Sequence, residues 1–397
     1  MSTRVKAQVA PAVLVWARTS AGYGLGAAAA KLKLDEDRLA AWEAGDDQPT
    51  IPQLRKLAEL YKRPLAVLYL SEPPLTFQPM HDFRRLPDIG PRHFSPALTF
   101  EIRRAHQRRE LAQEMLAETG EKVPAFALQT KFGTDAEQVG DAIRKALGID
   151  YRTQTSWRDP RVAFLAWRSR IEALGVLVFQ ASAIERDEAS GFAYWADTLP
   201  FMVVNRKDVY ARRTFSLLHE LAHLMLHQSG VSELDVDAPR PAEDANVEIF
   251  CNQIAAVALM PRSQFLSEAL VAARGVGRHE WPDETIKALS ITYGVSREAI
   301  VRRLMTFGRA SAAFYQAKRA QYGAEYRNQL AAQKAQNADK PIPRNMPRET
   351  VANLGRTLVG LIIENYRADR LSLSEVSGYL GVKTRHLAGI EQQLGFR

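Results

Sequence analysis

The sequence predicts an α+β protein that is mostly α. Three observations carry this. Apolar residues recur at helical spacing along most of the 397 residues. Only three short stretches read as strands: VLVFQA at 176–181, GFAYW at 191–195 and LPFMVVN at 199–205. Glycines and prolines such as Gly22, Gly24, Gly45, Pro49, Pro52 and Pro64 cut the helical runs into short pieces. Hydrophobic residues make up 46% and charged residues 25%, the mix of a soluble globular chain of two or three domains. Collagen, whole-chain disorder and a disulfide scaffold are excluded, the last because Cys251 stands alone. No apolar run approaches the roughly 20 residues of a membrane span, and the first twenty residues read as mature protein. A cytoplasmic protein without membrane contact is expected.

The elements follow in order. Residues 9–70 read as a tight bundle of short helices with Leu14, Leu25, Ala29, Leu32, Leu39, Trp42, Leu54, Leu57 and Leu60 inward. The prolines of 71–79 mark a boundary, 82–96 is irregular, and 97–119 is one long charged helix. Helices are expected at 135–148 and 161–174, the second running into the strand at 176–181. The two later strands form a hairpin closed around Asp197 and Thr198, giving a small antiparallel sheet. Helices then cover 209–228, 243–259, 284–308 with a turn at Gly294, and 311–338. A Pro/Asn break at 339–348 precedes two or three helices to residue 393. The expected divisions are 1–75, a linker and long helix at 76–134, a core at 135–310 and a basic helical extension at 311–397.

Charge is unevenly placed. Net charge is +2 over residues 1–80, −3 over 81–301 and +9 over 302–397. A localised basic excess suits either a polyanion-facing surface or a solvated helical one. Residues 372–395 read as a helix-turn-helix in which Ser374 caps one helix, Gly381 turns the chain and Lys383, Thr384, Arg385 and His386 open the next. These make Lys383, Thr384 and Arg385 candidates for DNA contact. In the N-terminal bundle the corresponding helix opens Asp35-Glu36-Asp37-Arg38. Arg38 is a candidate there, although three carboxylates beside it would repel phosphates.

The chemistry centres on His219-Glu220-Leu221-Ala222-His223. On a helix, i and i+4 share a face, so two imidazoles can point at one ion. Glu220 is misplaced for ligation alongside both histidines but suits a water held by that ion. Zinc brings such a water's pKa toward 7, and a carboxylate takes its proton as it attacks a carbonyl. His227 is excluded as third ligand, because eight residues rise roughly 12 Å along a helix. Glu243, Asp244 and Glu248 on the next helix are the donors to choose from. Glu248 is preferred, since it shares a face with Asn252 and Ala255. Tyr194 is a candidate for stabilising a developing oxyanion, and Arg213 for contacting substrate carbonyls. The hairpin at 191–205 is expected to hold an extended peptide as an added strand.

These motifs resemble a known family. HELAH preceded by RRTFSL, the pattern E-x-x-C-N-x-x-A-A-x-x-L-M-P at 248–261, DFRRL at 82–86 and GFAYWADTLPFMVVN at 191–205 are similar to stretches of the ImmA/IrrE (DUF955) metallopeptidases. Residues 10–70, with Trp42, Glu43 and Gly45, resemble an Xre-type helix-turn-helix domain fused ahead of that peptidase. The resemblance implies a gluzincin-like core with a Zn2+ ion on His219, His223 and Glu248, and Glu220 as general base. The family's usual acidic-Ala-Asn run reads Phe250-Cys251-Asn252 here, which sets a cysteine beside the site.

The function expected is a zinc endopeptidase that cleaves a regulatory protein, a DNA-binding repressor. The alternatives are a DNA-binding regulator whose zinc domain senses or binds a partner without cutting, and an antitoxin-like protein. The partners admitted are the protein substrate, DNA and a second copy of the chain.

Overall fold

The computed structural model describes residues 5–74, 81–82, 94–120, 122–232, 242–274, 279–337 and 344–396. Of the expected segments, residues 75–79 of the proline boundary, 83–93 of the irregular stretch with most of DFRRL, residue 338 of the helix at 311–338 and 339–343 of the Pro/Asn break lie outside these. The chain divides into two compact units, residues 1–80 with 91–107, and residues 81–90 with 108–397.

The first unit is built on α1 (Pro11–Thr19), α2 (Leu25–Leu32), α3 (Glu36–Ala44) and α4 (Ile51–Tyr61), with a short 3-10 turn at Leu65–Tyr69. Prolines sit in the first turns of α1 and α4, where a missing N–H costs nothing. Thr50 starts α4 with a capping box, its N–H donating to Gln53 Oε1 at 2.8 Å. Val13, Leu14, Leu39, Trp42, Leu54, Leu57 and Tyr61 form the core. The expected Leu25, Leu32 and Leu60 pack against it, partly exposed. Helix α5 (Pro96–Thr119) begins in this unit and continues into the next, so the unit is longer than the expected 1–75. Arg103 shows why: its guanidinium donates to Tyr61 O at 3.1 Å and Lys62 O at 2.6 Å, satisfying carbonyls at the end of α4.

In the second unit a sheet lies among helices α6 (Ala136–Leu147), α7 (Tyr151–Ser156) and α8 (Pro160–Glu172), then α9 (Tyr210–Met225), α10 (Ala242–Leu259), α11 (Arg262–Ser267), α12 (Ala269–Ala272), α13 (Asp283–Tyr293), α14 (Arg297–Thr306) and α15 (Ala312–Asn337). Its strands are β1 (His81–Asp82), β2 (Leu177–Ala181), β3 (Gly191–Tyr194), β4 (Phe201–Asn205) and β5 (Gly230–Ser232), in the order β1-β5-β3-β4-β2. The expected hairpin is present, with Gly191 opposite Val204 and Tyr194 opposite Phe201. The sheet as a whole is mixed rather than antiparallel. Strand β4 inserts between β3 and β2, so β2 meets it parallel, and β1 runs parallel to β5. Every residue of β2 and β4 is buried, polar Gln180 and Asn205 included, which matches their largely apolar runs. One face, with Val178, Ala193, Met202 and Val204, joins the core of α9 and α10. The other carries Phe179, Phe192 and Tyr194, each in ring contact with Phe201.

The C-terminal residues group with this second unit. They form α16 (Met346–Leu354), α17 (Arg356–Arg367), α18 (Leu373–Leu380) and α19 (Leu387–Leu394). Buried Arg168 of α8 and Gln180 of β2 both donate to Ala352 O, at 2.5 and 2.7 Å, pinning α16 to β2. Gly355 (φ 85°) turns so close that a Cβ would lie 2.8 Å from Glu172 Oε1. Ser372, with Glu375 in a capping box, starts α18 in place of the expected Ser374. Gly381 ends it at φ 65°, and a 3-10 turn at Thr384–His386 leads into α19. No described helix is long and apolar enough to cross a membrane.

Candidate metal centre

Helix α9 carries the motif and is buried along most of its length, from Thr214 to Met225 except Phe215. It ends at Met225 because the chain turns left-handed at His227 (φ 57°). That places His227 beyond the helix, where it stacks on Trp195 at 4.5 Å, away from the two motif histidines. Helix α10 crosses α9 closely. Gly140 of α6 lets α10 approach on its other side, since a Cβ there would lie 2.3 Å from Val257.

Three donors converge where the helices meet. His223 Nε2 lies 3.1 Å from His219 Nε2 and 3.2 Å from Glu248 Oε1, and His219 Nε2 lies 3.4 Å from Glu248 Oε2. A tetrahedral ion with bonds of about 2.0–2.1 Å sets its donors roughly 3.3 Å apart. The three side chains therefore fit one metal ion, and they form a His-His-Glu group able to hold it. His219 Nδ1 faces Asn252 Oδ1 at 3.1 Å, one helical turn beyond Glu248. Of the alternative donors, Glu243 and Asp244 lie outside this group.

Glu220 occupies a different position from the ligands. Its Oε2 accepts a long hydrogen bond from Ser232 Oγ of β5, at 3.4 Å. Its Oε1 is buried and has no hydrogen-bond partner among the described residues. Gly191 of β3 makes room for it: a Cβ there would stand 2.8 Å from Glu220 Oε1 and 2.7 Å from Val203 O. Sequence reasoning missed Gly191 and Ser232 as site residues. A lone glycine in a strand is itself a sign of close approach, whereas Ser232 gave no signal.

Electrostatics separate the two carboxyls. Burial pushes Glu220 well above the usual carboxylate range, and the charge of Glu248 adds to this. Burial acts to raise Glu248 too, but the imidazoles of His219 and His223 outweigh it and hold that carboxyl well below the usual range. Burial lowers the His223 imidazole, opposed by Glu248. Burial, reinforced by Glu248 and Glu220, raises the thiol of fully buried Cys251, so it is an inert thiol rather than an exposed sensor.

Other candidates fall elsewhere. Tyr194 alternates with Gly191 and Ala193, so it projects from the opposite face of β3 to the one Glu220 approaches. There it stacks on Phe201 at 5.2 Å under Arg109. Those ring contacts are the ones of a packing residue. Arg213 donates to Asp208 O at 2.6 Å and Gln180 Oε1 at 3.0 Å and covers the Tyr210 ring, tying the start of α9 to β2. These bonds hold its guanidinium against the scaffold. The hairpin cannot add a peptide strand at either side, because β5 pairs with β3 and β2 with β4. Arg38, Lys383, Thr384 and Arg385 are exposed, and Arg38 leans over Trp42 at 5.6 Å.

No curated protein matches the chain. Residues 171–305, which run from the end of α8 through α14 and hold His219, Glu220, His223 and Glu248, match the family model of the IrrE N-terminal-like domain, peptidase family M78, a domain of ImmA/IrrE-type metallopeptidases.

Proposed function

We propose that the chain is a zinc-dependent endopeptidase that cuts a regulatory protein, with a DNA-binding repressor as substrate. One observation carries the reading. A carboxyl that is not a ligand, Glu220, is fully buried beside a three-donor metal group and has an oxygen left over. A structural metal site needs no such group. Zinc, when bound, supplies a Lewis acid and an acidified water. His219, His223 and Glu248 would hold the ion. Ser232 and the gap at Gly191 fix the Glu220 carboxyl, with Oε2 engaged and Oε1 open to take and return a proton. A cation held by the neighbouring donors opposes the burial that keeps Glu220 protonated, so the loaded site favours the basic form.

The repressor as substrate is supported by the α2–α3 pair of the first unit, which would recruit the enzyme to a regulatory complex. DNA contact is assigned in this reading to Lys383, Thr384 and Arg385 at the exposed turn before α19, with Arg38 as the weaker contributor. The test compares newly formed protein termini across the proteome of cells carrying wild-type chain or Glu220→Gln. A fragment present with wild type and absent with Glu220→Gln supports the proposal. If Glu220→Gln regulates as wild type does while His219→Ala fails, the metal senses or supports, and the non-cutting regulator replaces the peptidase.

A further inference from the structure

The Asn252 amide accepts from one metal-ligating histidine while its own amino group is left over. Asn252 Oδ1 lies 3.1 Å from His219 Nδ1, and the contact is buried. Asn252 Nδ2 is also buried and has no hydrogen-bond partner among the described residues. A buried donor without an acceptor destabilises the folded chain, so an apolar side chain would serve the fold better at this position. Something other than packing therefore accounts for an amide here.

We infer that Asn252 is a positioning residue that selects the tautomer of His219 and so sets the affinity of the metal site; this rests on the metal-centre reading above. An imidazole ligates through a lone pair, so Nε2 must be unprotonated for His219 to share an ion with His223 and Glu248. Oδ1 can only accept, which places the proton on Nδ1 and leaves the lone pair on Nε2. The reverse orientation of the amide would present Nδ2 to the ring, drive the proton to Nε2 and block ligation. Asn252 lies at i+4 from Glu248, so α10 provides both a ligand and the support of a ligand on α9. Acceptors that hold the far nitrogen of a metal-bound histidine alter metal affinity by about 10–100-fold.

The test measures zinc affinity of the full chain by competition with a chromophoric chelator. Asn252→Ala should weaken zinc about 10–100-fold. Asn252→Asp, which keeps the acceptor and the shape, should bind at least as tightly as wild type. In zinc-loaded protein a slowly exchanging imidazole N–H resonance, assigned to Nδ1 of His219, should be present in wild type and Asn252→Asp and absent in Asn252→Ala. Unchanged affinity in Asn252→Ala overturns the inference, as does an Asn252→Asp variant as weak as Asn252→Ala. His223→Ala separates the two levels of the argument. If it retains wild-type zinc, the metal centre itself is misassigned; if it loses zinc while Asn252→Ala keeps it, the positioning role alone is wrong.

Discussion

Gly191→Ala is the smallest change that tests how Glu220 is held. The added methyl would stand 2.7 Å from Val203 O, 2.8 Å from Glu220 Oε1 and 3.2 Å from Glu220 Cδ. Ordinary contact begins near about 3.5 Å, so the carbonyl and the carboxyl must each give by roughly 0.7–0.8 Å. Neither can do so freely. Val203 O belongs to a strand paired on both sides, and Glu220 is fully enclosed. Overpacking of this kind costs about 1–3 kcal/mol. Misplacing a catalytic group by about 1 Å can cost on the order of 10²-fold, so a shift of about 0.7 Å should cost on the order of thirtyfold. The three atoms nearest the methyl belong to Val203 and Glu220, and none to a metal donor. Zinc content, read by elemental analysis, should stay at wild type, while denaturant midpoint and substrate cleavage in cells both fall. Gly191→Ser should be worse. Wild-type cleavage and stability in Gly191→Ala would refute the argument that this glycine makes room for the base.

Four further outcomes are expected. Glu220→Gln should remove cleavage, with a rate loss of about 10²–10⁴, and leave zinc content unchanged. His223→Ala should lose zinc in elemental analysis, because two donors hold the ion poorly. Arg168→Met should destabilise by about 3–5 kcal/mol in urea unfolding, since it leaves Glu172 buried without its partner, while Arg168→Met with Glu172→Leu should recover most of that loss. Glu172 is pushed up by burial, so in wild type its contribution to stability falls as pH rises above the ordinary carboxylate range, and the double variant should lack that fall. Lys383→Glu with Arg385→Glu should lower the slope of log affinity against log salt for duplex DNA by about 0.9 for each phosphate left without its cation, and Arg38→Glu should change it less.

Much of the site is legible in the sequence because its chemistry is written in local spacing. A histidine pair at i and i+4 with an intervening glutamate has one helical reading, and the rejection of His227 needs only the rise per residue. Glu248 follows from asking which face of the next helix can carry a donor. The bundle of the first unit is legible for the same reason, since its buried Leu14, Leu39, Trp42, Leu54 and Leu57 follow one helical period. What escapes is set by pairing across the chain. Nothing near VLVFQA says that β2 will lie parallel to β4, and that pairing removes the free edge expected of the hairpin. The face that Tyr194 takes is not legible from sequence, because it depends on which way the strand is turned, a choice that Gly191 reveals only once Glu220 is beside it. Arg213 sits close to the motif in sequence, yet its partners Asp208 and Gln180 come from a loop and another strand.

The division of labour between the two helices follows from what burial costs. Helix α9 places His219, Glu220 and His223 in a core lined by Leu217, Leu218, Leu221 and Leu224, where an unpaired polar group is expensive. Each of those groups is answered from another element: Glu248 and Asn252 from α10 for the histidines, and Ser232 with the space at Gly191 for Glu220. The carboxyls are thereby driven apart in acidity, one low beside the imidazoles and one high in an apolar pocket. Two carboxyls with separated acidities beside a convergent donor set suit the ligand and base that the proposed function assigns to them. The remaining buried charges obey a different rule. Arg144, Arg168 and Arg303 each spend their donors on backbone carbonyls, of Ala258, Ala352 and Met260, and so hold the ends of helices in place. Glu220 differs from these arginines in two respects: it is a buried carboxyl with one oxygen unpartnered among the described residues, and it lies on the helix that carries two of the three metal donors, which is why the proposed function assigns it the proton.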